Sequence, residues 1–372
     1  MEINIDQYEE FKVESLYGRY ITNDSILKFK DLFSYSILGT SENNNPIYYF
    51  KLGSGKKKIL IWSQMHGNES TSTRALFDAL SYFRNIDKEC LSIVSIHIIP
   101  ILNPDGALLY SRENFNKVDL NRDAKSLSQK ESIVLKNLYK DIKPHYCFNL
   151  HDQRSIYSVS NSKKPSILSF LSPSADLLKS ETNSRIVSMK IITSIAKSLN
   201  NLIPGSYSRY KDDFNSNCVG DTFQSLNTPT LLFESGHFEN DYMRENTRKY
   251  MCFALIFSIK SITNNSYKSL NHKDYYEIPE NSSFLTDVFL RNVKVKLADK
   301  IIRTNVSIMY EEILDVDLKK IILKPFIENH GLLFNTFGHT DLNFNKIEKP
   351  FVLNENSISE LMFYVDKLRI VQ

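Results

Sequence analysis

The chain has 372 residues, a formal charge of +3 at pH 7 and 42% hydrophobic residues, enough for one large domain and a smaller one with a sizeable core. Charge this nearly balanced excludes a nucleic-acid surface held by basic tracts, since Lys56-Lys57-Lys58 reads as a solvated turn before a strand. No apolar run is long enough to span a bilayer.

Residues 1–20 carry the acidic residues Asp6, Glu9 and Glu10 and no apolar stretch of signal-peptide length. Cys90, Cys147, Cys218 and Cys252 lie far apart without a C-x-x-C clip, the pattern of free thiols in a reducing compartment. The expectation is a cytoplasmic protein that binds neither nucleic acid nor membrane.

Residues 21–33 read as helical or irregular, and 33–38 and 47–52 as strands around the polar turn 42–46. Lys58 to Ser63 is a continuous apolar run, as expected of a buried strand. From Ser70 to Arg84 the apolar residues Ala75, Leu76, Ala79, Leu80 and Phe83 share one helical face. The next strand spans 91–102 and ends in Asn103-Pro104-Asp105-Gly106. A helix over 127–142 stops before Pro144, and a strand from His145 to Leu150 leads into His151. A helix over 184–199, an irregular stretch over 200–227, a strand from Pro229 to Phe233 and a helix over 241–262 follow.

This alternation is that of an α/β domain with helices covering a mixed sheet. His66, His151 and Glu234 are each expected just beyond the carboxyl end of a strand, where open α/β sheets place their sites. After a linker near 264–274 the pattern changes to short strands at 293–297, 302–310 and 320–326, a β-rich C-terminal domain over 275–372.

The chemistry gathers at His66-Gly67-Asn68-Glu69. A turn brings an imidazole and a carboxylate three residues apart to one point, an N/O pair that suits Zn²⁺. His151 is the natural third ligand, and three protein ligands leave a fourth position open, as catalytic zinc requires. Glu234 ends an apolar strand, which favours a catalytic base over a surface carboxylate. Arg112, Asn121 and Arg122 offer guanidinium and amide groups for a substrate carboxylate, or else ion pairs within a loop. His97 and Cys147 read as packing residues. His237 reads as a turn residue more than as a tuner of Glu234, and His145, His272, His330 and His339 as ordinary surface or turn residues.

His66-Gly-Asn-Glu69, Asn103-Pro-Asp-Gly106, Asp119-Leu-Asn-Arg122, His151 and Phe233-Glu234 occur in the order found in zinc carboxypeptidases of the carboxypeptidase A type, which the chain resembles over roughly residues 35–262. The resemblance implies a mixed-sheet α/β/α catalytic domain over 1–265. It further implies that His66, Glu69 and His151 bind Zn²⁺, that Glu234 is the general base and that Asp119 orients His66. Asn121 and Arg122 would hold a substrate's terminal carboxylate, and Arg112 would polarise the scissile carbonyl. The substrate-capping tyrosine falls to Tyr210 or Tyr207, although neither stands at the family offset. The implied activity is hydrolysis of the C-terminal amide bond of a peptide or peptide-like substrate. The alternative is a zinc-dependent deacylase of N-acyl amino acids, related to aspartoacylase and succinylglutamate desuccinylase, which share His-Gly-Asn-Glu and Asp-Leu-Asn-Arg and often carry a β-rich C-terminal domain. Which side chain the substrate presents does not follow from Asp212, Asp213, Gly220 or Asp221.

Overall fold

A computed structural model describes residues 5–354 and 357–371. In chain order the helices are α1 (Tyr8–Phe11), α2 (Asn23–Leu27), α3 (Thr71–Asn85), α4 (Pro104–Leu109), α5 (Lys130–Ile142), α6 (Asn183–Leu199), α7 (Val219–Ser225), α8 (Glu245–Asn264) and α9 (Ile358–Val371). The strands are β1 (Ser34–Thr40), β2 (Pro46–Leu52), β3 (Lys57–Trp62), β4 (Val94–Ile99), β5 (Tyr146–Asp152), β6 (Tyr157–Val159), β7 (Leu168–Leu171), β8 (Tyr207–Arg209), β9 (Thr230–Ser235), β10 (Asn281–Ser283), β11 (Leu285–Leu297), β12 (Lys300–Asp315), β13 (Lys320–Gly331) and β14 (Phe337–Asn343).

The chain divides into two compact units. The first comprises Met1–Gln153 and Ser166–Glu280. Its mixed eight-stranded sheet has the order β1-β2-β4-β3-β5-β9-β7-β8. The central strands β4, β3, β5 and β9 run parallel, while β2 and β7 flank them antiparallel.

Strand alternation explains why the central strands read as unbroken apolar runs. On β3, Ile59 and Ile61 enter the core under α3, α6 and α8, whereas Leu60 and Trp62 enter the opposite core with Leu135, Leu138 and Phe223 of α5 and α7. Both faces are covered, giving three layers, so no position on these strands needs a polar residue. Helix α3 is buried on nearly every side, more than the single apolar face of its sequence requires, because α8 packs over it.

Some expected boundaries change. The strand at 91–102 shrinks to β4 because Lys88–Ser92 forms a 3₁₀ turn. The irregular stretch 200–227 contains β8 and α7, which are too short to show periodicity. His151 and Glu234 are the penultimate residues of β5 and β9, still inside the ladder.

The second unit comprises Arg154–Pro165 and Asn281–Gln372, so it takes a stretch of chain that begins three residues after His151. In it β6 pairs with β10, and a four-stranded sheet has the order β13-β12-β11-β14. Leu361 and Val365 of α9 pack on Val288, Leu290, Val306 and Ile308 of that sheet. The strands are longer than the sequence pattern indicated because their outer halves are exposed and carry little apolar signal. A truncation after residue 280 removes β10 and leaves β6 without its partner strand. No described helix is long and apolar enough to cross a membrane.

Candidate metal centre

His66 lies four residues past the end of β3, in a turn that the Asn103–Gly106 motif holds from below. Asn103 caps α4 by accepting from the Gly106 amide at 2.8 Å and donates to the Met65 carbonyl at 3.2 Å. The two turns touch through their glycines, since a Cβ on Gly67 would stand 1.9 Å from the Gly106 carbonyl carbon. No side chain fits there. Asp105 faces away and anchors the β1–β2 turn through the hydroxyl of Ser41 and the amide of Asn45, both at 2.7 Å.

Glu69 is the hub. One carboxylate oxygen lies 2.8 Å from Nδ1 of His66 and the other 2.8 Å from Nδ1 of His151, and the two Nδ1 atoms are 3.2 Å apart. Among the described residues this trio forms the only group of three or more His, Cys, Asp or Glu side chains placed to hold a metal ion. All three are buried.

Proton counting tests whether a cation fits. Nε2 of His66 lies 3.0 Å from Asp119 Oδ1 and donates to it, which leaves Nδ1 of the neutral ring as a bare lone pair. That lone pair faces a carboxylate oxygen and a second imidazole nitrogen. Acceptors so arranged repel one another unless a proton or a cation sits among them. Two nitrogens and a carboxylate are a zinc donor set, so the residues fit the ion.

The electrostatics agree. Burial alone would raise the Glu69 carboxyl, but His66 and His151 outweigh it and hold the group well below the usual range. Burial opposes a charge on His66 too, yet Glu69 and Asp119 raise its pKa. For His151 burial wins and the pKa falls, which favours the neutral imidazole that a metal ligand must be.

Glu234 stands directly across from His151 in the parallel β5–β9 register. Burial, then the negative charges of Glu69 and Asp152, push its carboxyl well above the usual value despite Arg112 and Arg244. Arg112 places Nη2 2.9 Å from Asp119 and Nη1 3.3 Å from Glu69, with its side chain 48% exposed. It therefore reaches the trio while facing solvent.

Asn121 and Arg122 belong to the 3₁₀ turn Leu120–Arg122, in which the Asn121 amide donates to Asp119 at 2.8 Å. Asn121 accepts from the Val219 amide at 3.0 Å, and exposed Arg122 donates to the Asn121 carbonyl at 2.8 Å and to Cys218 Sγ at 3.1 Å. Tyr207 sits in β8 with its hydroxyl on Asn200, while Tyr210 lies one residue past the strand, its amide on the Phe170 carbonyl at 2.8 Å. Asp212 is engaged by Arg185 and by Ser174 at 2.7 Å.

Asp221 is different. Burial pushes its carboxyl up to about 7. A carboxyl whose folded pKa exceeds its unfolded value gives most stability at low pH and loses it as pH rises through about 7. Asp221→Asn should therefore be more stable than the parent at pH 8, by up to about 4 kcal/mol for the full shift, and no more stable at pH 4. Urea midpoints at the two pH values check this.

His97 is held by Tyr49 at 2.7 Å, and burial lowers it to about 4. His237 is buried with its ring 4.6 Å from Tyr242. Two residues near the site went unread in the sequence: Asp152, which caps α3, and Arg244, which donates to the Ser235 and Gln153 carbonyls at 2.9 Å. The acid directly after His151 was a usable signal for the first. Nothing local marks the second.

A family model described as zinc carboxypeptidase matches residues 23–195. A probable carboxypeptidase 2 of Trichophyton verrucosum is 28% identical over 127 residues, 32% of this chain and 23% of the fungal protein. The curated relatives are thus matched over about a quarter of their length. In fold, a metallo-carboxypeptidase from Burkholderia cenocepacia is similar with a TM-score of 0.52 at 16% identity, over 68% of this chain and 71% of that one. Carboxypeptidase A from Helicoverpa armigera is similar with a TM-score of 0.54 at 13% identity, over 70% and 80% respectively. The segment 23–195, which carries His66, Glu69 and His151, is thus the part of the chain similar to the zinc carboxypeptidases.

Proposed function

We propose that this protein is a zinc-dependent carboxypeptidase that hydrolyses the C-terminal amide bond of a peptide or peptide-like substrate. The observation that carries this reading is the meeting of two imidazole Nδ1 atoms on one carboxylate, with a second carboxylate across the ladder at Glu234. His66, Glu69 and His151 would hold the ion. Zinc bound there supplies a Lewis acid that polarises an oxygen and lowers the pKa of water toward about 7.

Glu234 takes the proton from the attacking water and returns it to the leaving amine, a role suited to a carboxyl that burial and neighbouring charges raise above its usual pKa. Arg112 donates to the oxygen that gains negative charge as the carbonyl becomes tetrahedral. Asn121 and Arg122 bind the substrate's free carboxylate, and Tyr210 covers the bound residue. A cytoplasmic location is proposed from the four free thiols, three of them buried.

The test is zinc content by elemental analysis, with hydrolysis of C-terminal peptides and N-acyl amino acids, each with and without chelator. Chelator-sensitive release of C-terminal residues is the expected result. Turnover of N-acyl amino acids alone would move the assignment to the deacylase, and neither metal nor turnover would remove the enzyme reading. In the same assay His151→Ala should fold and lose zinc. Full occupancy in that variant would remove His151 from the ligand set.

A further inference from the structure

The face of β5 and β9 opposite the metal centre carries a second polar set. Because side chains alternate along a strand, His151 and Glu234 point to one side of the sheet while Asp152 and Ser235, the next residues, point toward α3. There Asp152 accepts from the Thr71 amide at 2.8 Å and the Ser72 amide at 3.1 Å. Ser70, at the N-cap position of α3, makes no side-chain cap of its own, so this helix start is satisfied by a carboxylate from another strand.

Ser72 is fully buried, as is Ser235. Its hydroxyl lies 2.7 Å from the His151 carbonyl and 2.8 Å from the Ser235 hydroxyl. With one proton each, Ser72 donates to the carbonyl and Ser235 donates to Ser72. The Asp152 amide in turn donates to Glu69 at 3.2 Å. Three segments that bring groups to the site meet here: the start of α3 just after Glu69, the end of β5 at His151 and the end of β9 at Glu234.

We infer that Asp152 and Ser72 are positioning residues that hold Glu69, His151 and Glu234 in the spacing the metal requires. This rests on the carboxypeptidase reading and deepens it. Glu69 sits on a turn and His151 on a strand, so their distance depends on how the helix start is pinned to the strand end. A neutral alanine at either position leaves the site-facing side chains unchanged while freeing that distance. Groups that orient metal ligands from behind typically change affinity by about 10–100-fold when removed.

The experiment is competition for zinc between the full chain and a chromophoric chelator, for wild type, Asp152→Ala, Asp152→Asn, Ser72→Ala and Ser72→Thr, with kcat and KM from the same preparations. The expected result is zinc affinity lowered by about 10–100-fold in both alanine variants, with kcat falling and KM little changed. Asp152→Asn, which still accepts one helix amide, should lie between, and Ser72→Thr, which keeps the hydroxyl, should return toward wild type. A general loss of stability would not produce that rescue. Wild-type affinity and kcat in both folded alanine variants would overturn this assignment alone. If an alanine variant fails to fold, wild-type affinity in Asp152→Asn together with unrescued loss in Ser72→Thr overturns it. A wild-type chain that takes up no zinc would overturn the metal reading, and this assignment with it.

Discussion

Glu234→Gln should retain zinc and lose about 10²–10⁴-fold in kcat, the range for removing a positioned general base. The amide is nearly isosteric with the acid, so the β5–β9 ladder and its side-by-side placement with His151 survive the change. What disappears is the ability to accept and return a proton. The substitution also removes a carboxyl that burial and two neighbouring negative charges already strain, so the thermal midpoint should hold or rise. A lower kcat together with full zinc occupancy and an unchanged or higher midpoint separates a chemical role from a structural one. Near-normal turnover with zinc bound would remove Glu234 from the mechanism.

Arg248→Met should destabilise the fold by about 3–5 kcal/mol, the cost of leaving a buried charge without its partner. Arg248 of α8 is fully buried and grips both oxygens of Asp78 on α3, at 2.7 and 2.8 Å. The same guanidinium donates to the Val13 carbonyl at 2.8 Å and the Leu16 carbonyl at 3.2 Å, while Asp78 accepts from the Tyr8 hydroxyl at 2.7 Å and the Val13 amide at 2.8 Å. One ion pair thus joins two core helices to the N-terminal segment. Methionine fills much of the volume but leaves Asp78 charged and buried. Urea unfolding measures the loss, and pairing Arg248→Met with Asp78→Leu should cost less than the two single changes summed. Simple additivity would mean that the pair does not act as a unit.

The α/β architecture of the first unit was legible in the sequence for a physical reason. A strand covered on both faces is mostly apolar, and Ile59 to Trp62 of β3, split between the two cores, display that directly. His66-Gly-Asn-Glu69 was equally legible as a candidate, because the spacing that brings its imidazole and carboxylate together is local, whereas the contact of Gly67 with Gly106 is not. His151 and Glu234 could be named as candidates because a lone polar residue at the end of an apolar strand stands out.

Tertiary structure decided the rest. The sequence holds no record that His151 and Glu234 are neighbours across a ladder, since 83 positions separate them and only the strand order brings them together. It likewise hid that residues 154–165 join the C-terminal unit rather than the domain around them, because a three-residue strand such as β6 carries no periodic signal. Asp152, next to His151, went unread in the sequence. Its pairing with the first amides of α3 exists only once the sheet has set β5 beneath that helix. Local chemistry selects which groups can react, and long-range packing fixes the distances at which they do.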